Sequence, residues 1–285
     1  MNYPARTMPL TLDELFDLLA ITEEDRVGCA QLLAGAADQA AVAEAKAALT
    51  SRLGSYSEEP LKALTTDPMA WLTAYLQLTP TIVDLHRDLG VSADVTRATL
   101  ADVGRNLAIH RRAHAEFGLE TWDWLIGHYT GMMFGLGRLN FMLHPTNKTI
   151  DCVMAPGDWV PGIHIPESGP LTAEAVDASL VLAKAFFAKH FPDKPVAVAA
   201  CESWLLDPYL LEHLPTGTNI AAFASRFTLM GHSYDDATSA MFFLFRTRDL
   251  SQLPFLARDT TLRRLVLDRA DNGDPWQISA GYLRL

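Results

Sequence analysis

A short apolar stretch, Val160–Ile165, carries one titratable side chain, His164, set between Ile163 and Ile165. If the stretch is a strand, His164 points away from both isoleucines. An imidazole in that place could touch a substrate or take a proton near neutral pH. The plainer reading of a single histidine on a strand is a packed or rim residue. Farther along, Glu202 is the only charge between Val196 and Leu206. A carboxylate at the C-terminal end of such a run could act as a general base, and partial burial would raise its pKa toward that task. It could equally mark where the strand meets water. Cys201 and Ser203 have the opposite parity to Glu202 and are nucleophile types. No Cys/His or Ser/His/Asp set accompanies them, and a cysteine inside a strand is usually a small core residue.

These residues sit at two ends of one structural unit. Pro166 stops the first strand, and Glu167-Ser-Gly-Pro170 has the residues of a sharp turn. Thr172 is a natural helix N-cap, with Leu171 and Val176 placed as a hydrophobic staple. Val176, Leu180, Ala183 and Phe187 then recur at helical spacing, up to His190-Phe-Pro192. Val196–Cys201 is apolar without alternation, as a strand covered on both faces requires. Strand, loop, helix and strand of this length predict a right-handed parallel crossover. Its loop would aim backbone N–H groups at an anion such as a phosphate, although any crossover helix has such an end.

The rest of the chain divides by period. Thr11-Leu-Asp-Glu14 is a capping box, residues 28–50 are alanine-rich, and Gly54–Pro60 reads as a linker. Met69–Leu76 is helical, Pro80 opens a further helix that Gly90 ends, and Ser92 caps one running to about His114. Gly118–Phe134 continues the helical pattern with Trp122, Trp124 and Tyr129, which read as interdomain core. Strands are expected at Gly137–Leu143, Thr149–Met154 and Val160–Ile165. After the crossover come short helices at 207–214 and 219–226, then an antiparallel pair, Phe227–Gly231 with Met241–Phe245. Thr260–Arg269 is helical and Gln277–Leu285 is a closing strand. This order predicts an α/β chain: an all-helical domain over residues 1–120, then a mixed sheet with helices on both faces over residues 121–285.

Composition narrows the function classes. The 285 residues include 34 acidic and 23 basic side chains, for a net charge of −11. No basic patch is visible, so neither nucleic acid nor an anionic membrane is an expected partner. The helix–turn–helix look of residues 84–107 does not change this, because three arginines there face four aspartates. Three cysteines without a CxxC pair argue against a disulfide framework and a cysteine-rich zinc site. No metal centre is expected. A cytoplasmic setting follows from the sparse cysteines and from an N-terminus that lacks the apolar core of a signal peptide. No apolar run reaches a membrane span.

The segments HIPESGPL, HFP, CESWLLDP and TNIAAFASRF, with GLGRLNF upstream, occur here in one order. In that order they resemble the bacterial two-domain acyltransferases, which join a helical N-terminal domain to a GNAT-like (N-acetyltransferase) C-terminal domain. The resemblance covers residues 10–285 in layout. It implies acetyl-CoA or another acyl-CoA as co-substrate and a small-molecule amine or peptide as acceptor. It implies a thioester arm lying between strands 160–165 and 196–203, against backbone groups of Gly162, Ile163 and Ile165. The pyrophosphate would sit on Ser168, Gly169, Leu171 and Thr172, with Glu202 or His164 as base. Tyr209 would be the acid toward the leaving thiolate if the relevant helix is 207–214. If it is 219–227, no tyrosine stands there. The chain also departs from the usual Arg/Gln-x-x-Gly-x-Gly/Ala loop, since Gly169 is followed by Pro170, which has no N–H. A catalytically silent GNAT-like binding protein is the competing expectation.

Overall fold

The structure, a computed structural model, describes residues 10–57, 59, 61–62, 65–150, 152–236 and 238–285. The expected 54–60 linker and the expected 149–154 strand each lie partly outside that set. Thr11 closes a reciprocal capping box with Glu14 and launches α1, Leu12–Leu18. It is followed by α2 (Glu23–Gln31), α3 (Gln39–Ser51), α4 (Pro68–Asp88), α5 (Ala93–Leu100), α6 (Asp102–His114) and α7 (Ile126–Tyr129). Trp71, Tyr75, Leu76, Leu107 and Tyr129 fill one core among these helices. Pro80 does not open a helix; it lies inside α4. Burial of Trp71, Leu72, Tyr75, Ile82 and Leu85 on either side of it carries the helix through the missing N–H bond. Close backbone packing also decides residue type here. A Cβ on Gly104 of α6 would stand 2.1 Å from the Ala20 carbonyl oxygen.

The expected helix over 118–134 ends early. Gly131 takes a left-handed conformation (φ +79°), and Met133–Leu136 enters the sheet as β1. The sheet has six strands in the order β1-β2-β3-β4-β6-β5, with β2 Leu139–Pro145, β3 Trp159–His164, β4 Val198–Ser203, β5 Thr228–Asp235 and β6 Gln277–Arg284. Only β3 and β4 run parallel; the other neighbours are antiparallel. Of the expected strand at 149–154, the described residues form a single bridge, Ile150 to Met154.

The expected strand at 241–245 is helix α11, Ser239–Phe245. A short all-apolar run has no period to separate the two states. The preceding Asp236 accepts bonds from the N–H groups of Thr238 and Ser239, as a helix start does. The true partner of β5 is β6. Two short helices, α9 (Pro208–His213) and α10 (Asn219–Ala224), and α12 (Thr261–Asp271) complete the chain.

Helix α8, Ala173–His190, is the crossover between β3 and β4. Its buried Val176, Ala183, Phe186 and Phe187 meet Phe134 and Phe141 of the sheet. The Thr172 hydroxyl accepts from Ala175 N–H and caps the helix. Thr172→Ala is therefore expected to lower unfolding stability by about 1 kcal/mol, read as a shift in the denaturation midpoint with an unchanged slope.

Candidate active site

The parallel strands β3 and β4 touch and then part. They are in register at Gly162↔Ala200, with a parallel bridge upstream at Trp159↔Val196. Their outer ladders, by contrast, run to the strand ends: β2–β3 to Asn140↔His164 and β4–β6 to Ser203↔Ser279. The C-terminal ends of β3 and β4 thus pair outward and leave their inner edges open. A cavity of about 490 Å³ fills that gap. Ile163, His164, Ile165 and Glu202, Ser203, Trp204 form two of its walls. The helical half supplies Arg105, Asn106 and Trp124, and α11 supplies Phe242 and Phe243.

His164 is half-buried on the cavity wall, its ring edge-on to Trp124 at 4.7 Å between centroids. Glu202 also lines the cavity, but its carboxylate is half exposed and 3.0 Å from Lys148 Nζ. Cys201 is buried, and burial, with the nearby Glu202 charge, pushes its thiol up to about 12. It is an inert thiol at neutral pH. The Ser203 hydroxyl accepts from Leu205 N–H. Tyr209 is not among the cavity-lining residues, but it packs against the cluster of Trp204 and Leu205, which are. Its ring stacks on His213 at 4.0 Å and lies under the Arg269 guanidinium. Arg269 in turn pairs with Asp207, the cap of α9.

The loop between β3 and α8 is held from below. Arg138 donates to three of its carbonyl oxygens, those of Pro166 (2.9 Å), Gly169 and Pro170 (3.1 Å each). The hairpin that carries Arg138 seats on α8, because Arg138 N–H donates to Ser179 Oγ at 2.7 Å. One guanidinium therefore engages the carbonyl dipoles that would repel an anion at this helix start. Glu167, which would also oppose an anion, is paired on both sides, with Arg112 of α6 and Arg246 just after α11. Leu171 is buried in the core beneath the loop; Ser168 and Gly169 are exposed, and Gly169 has φ +114°. Gly162 sits where β3 and β4 still pair.

Residues 133–283 match the GNAT-like C-terminal domain, and residues 11–131 match the N-acyltransferase N-terminal domain. The chain belongs to the two-domain N-acyltransferase family. Similar solved structures include an acyltransferase in complex with decanoyl-CoA and teicoplanin, 27% identical, with a TM-score of 0.84 over 99% of this chain and 91% of that one. The same figures hold for an acyltransferase in complex with CoA and 10C-teicoplanin. A tryptophan-to-alanine acyltransferase variant in complex with octanoyl-CoA is 27% identical with a TM-score of 0.83, over the same shares of the two chains. No curated protein sequence matches the chain.

Within this N-acyltransferase, one buried polar group ties the helical half to the sheet. Asp102, at the start of α6, is 1% exposed. Its carboxylate accepts from Arg105 Nε (2.5 Å), Asn140 Nδ2 on β2 (2.6 Å) and, 2.8 Å away, meets His128 Nε2. Burial alone would raise its pKa, but His128 and Arg105 outweigh that and hold the carboxyl below the ordinary aspartate range. His128 packs edge-on against Trp124, and Trp124 against His164. Asp102 also lines the cavity, so this network ties α6 and β2 together at the cavity wall. Sequence reasoning missed Asp102, along with Arg105, Asn106, Phe242 and Phe243. They come from segments more than 30 residues from either splayed strand, and no local spacing links them. Arg138, in the GLGRLNF segment, both lines the cavity and holds the 166–170 loop. The face of α5 that mimicked a recognition helix packs on β1, where Gly135 N–H donates to Thr99 Oγ1 at 2.8 Å.

Proposed function

We propose that the chain transfers an acyl group directly from acyl-CoA to an amine, with the thioester held in the gap between β3 and β4. The observation that carries this is the splay itself: every second backbone N–H and C=O of each strand faces the gap. Those groups can pair with the pantetheine arm and stabilise the oxyanion of a tetrahedral intermediate. The amine nitrogen attacks the thioester carbonyl carbon, the C–N bond forms, and the C–S bond breaks. His164 accepts the amine proton and delivers it to the departing sulfur. We favour His164 over Glu202 because the imidazole is half-buried on the cavity wall, whereas the Glu202 carboxylate is half exposed. The route needs no tyrosine, which suits a cavity whose lining does not include Tyr209. The acceptor is a small-molecule or peptide-like amine entering from the side of α6 and α11, where Arg105, Asn106, Phe242 and Phe243 face it. The cysteines Cys29, Cys152 and Cys201 are free thiols, which suits the cytoplasm. Among the described residues, no helix is long and apolar enough to cross a membrane.

The test is calorimetry with acetyl-, octanoyl- and decanoyl-CoA, then thiol release over a panel of amines. Binding plus amine-dependent thiol release is expected. No binding at millimolar acyl-CoA overturns the reading, and binding without release on any amine would favour a catalytically silent fold. The loop carries a second expectation. Arg138→Ala frees the 166–170 segment, so the KM for acyl-CoA should rise about tenfold, the equivalent of roughly 1.4 kcal/mol. Steady-state kinetics at saturating amine would show it, with kcat changing less than KM.

A further inference from the structure

The turn after α6 folds back over the last turns of that helix. Ala115 leaves the helix in a left-handed conformation, φ 58°. Gly118 then passes so close to His110 that a Cβ on it would stand 2.2 Å from the imidazole Nε2. A side chain at this position would have to displace the His110 ring. It brings Glu120 against His110 and His114, which lie one helical turn apart on the same face. His114 Nε2 is 3.0 Å from Glu120 Oε2, and the two imidazole centroids are 4.4 Å apart. One ligand atom from each of the three side chains lies within 4.8 Å of the others. His110 Nδ1 is buried and has no hydrogen-bond partner among the described residues. Of the neighbouring cations, Arg111 pairs with Asp25 and Arg112 with Glu167, whereas Arg248 pairs with Glu120 itself. The helix C-terminus adds its own negative end.

We propose that His110, His114 and Glu120 bind a divalent transition-metal ion of the zinc class, with a fourth position open to water. Two imidazoles and one carboxylate form a nitrogen–oxygen set that suits zinc, whereas calcium and magnesium take oxygen ligands. Ligand bonds of about 2.0–2.1 Å require the three groups to draw together. His114 and Glu120 already touch, and both are open enough to solvent to rotate. None of the three lines the acyl-transfer cavity, so this site is separate from the one described above. The two communicate through one carboxylate. Glu120 Oε1 also accepts from Arg248 Nε at 3.3 Å, and Arg248 lines the cavity and lies over the Phe242 ring. A bound metal competes for the group that holds this arginine.

The test is titration of chelator-treated full-length protein with zinc chloride by calorimetry. A parallel cobalt(II) titration, read by visible absorbance, reports the ligand geometry. One ion per chain with micromolar or tighter affinity is expected, with a tetrahedral cobalt spectrum. His114→Ala and Glu120→Gln should each weaken binding at least about tenfold while the far-UV circular dichroism stays unchanged. No binding up to millimolar zinc overturns the proposal, and so does binding that neither substitution alters. Neither readout depends on acyl transfer, so failure here leaves the proposed reaction untouched, and the reverse.

Discussion

Replacing His164 with alanine is expected to lower kcat by about 10²–10⁴-fold, with the affinity for acyl-CoA nearly unchanged. The ring stands on the cavity wall beside Trp124 and is half-buried, so its removal leaves the sheet ladder at Asn140↔His164 in place. What is lost is a group that moves a proton between nitrogen and sulfur. A base must be neutral to act. In the parent protein kcat/KM should therefore climb with pH as the imidazole of His164 loses its proton, and the alanine variant should lose that limb. Glu202→Gln is the matched control. It breaks the pair with Lys148 and should cost far less in kcat. A parent-like rate in His164→Ala, or a collapse confined to Glu202→Gln, would move the base to the other strand.

The largest stability effect should come from Asp102→Ala. This carboxylate is buried and meets three partners, two of them in the helical half and one on β2. Removing one member of such a set strands the others. Arg105 loses its counter-charge, and buried donors of His128 and Asn140 lose their acceptor. Breaking a buried charged network in this way costs about 3–5 kcal/mol, read from the denaturation midpoint. The pH dependence has a defined sign. The folded-state carboxyl lies below its ordinary value because His128 and Arg105 outweigh burial. Its contribution is fully present above the unfolded aspartate pKa, about 3.9, and is lost as pH falls through the lower folded value. Parent and variant should differ most near neutrality and converge under acid. A constant gap down to the lowest pH at which both remain folded would mean that the ionised form is not what stabilises. Activity should fall too, since Asp102 positions His128, and through it Trp124 and His164.

The central unit of the fold was readable because its signals are local. Pro166, the Thr172 cap, the staple of Leu171 with Val176 and the helical spacing to Phe187 all act within a few turns of chain, and each predicts the state observed. The failures share a cause. Met241–Phe245 has no period, and the packing of Leu244 and Phe245 against the core of Trp204 and Trp276, with Phe242 at the cavity and Asp236 bonding the helix start, makes it a helix. Pro80 reads as a helix start until the packing of Tyr75 and Ile82 is known. Likewise, the i,i+4 histidines of α6 are visible as letters, but the carboxylate that completes them arrives by a return of the chain.

From its residue order alone, this protein sets the crossover, the acidic surface, the sparse thiols and the pairing of a helical half with a mixed sheet. These follow from short-range sterics, hydrogen bonding at helix ends, and charge, none of which needs a distant partner. Tertiary structure alone decided that the β3–β4 ladder stops at Gly162, that Glu167 is engaged from two sides, and that Tyr209 packs under Arg269 and is not part of the cavity lining. Each of these depends on which distant side chain occupies the neighbouring space, and packing at a distance leaves no periodic trace in the chain.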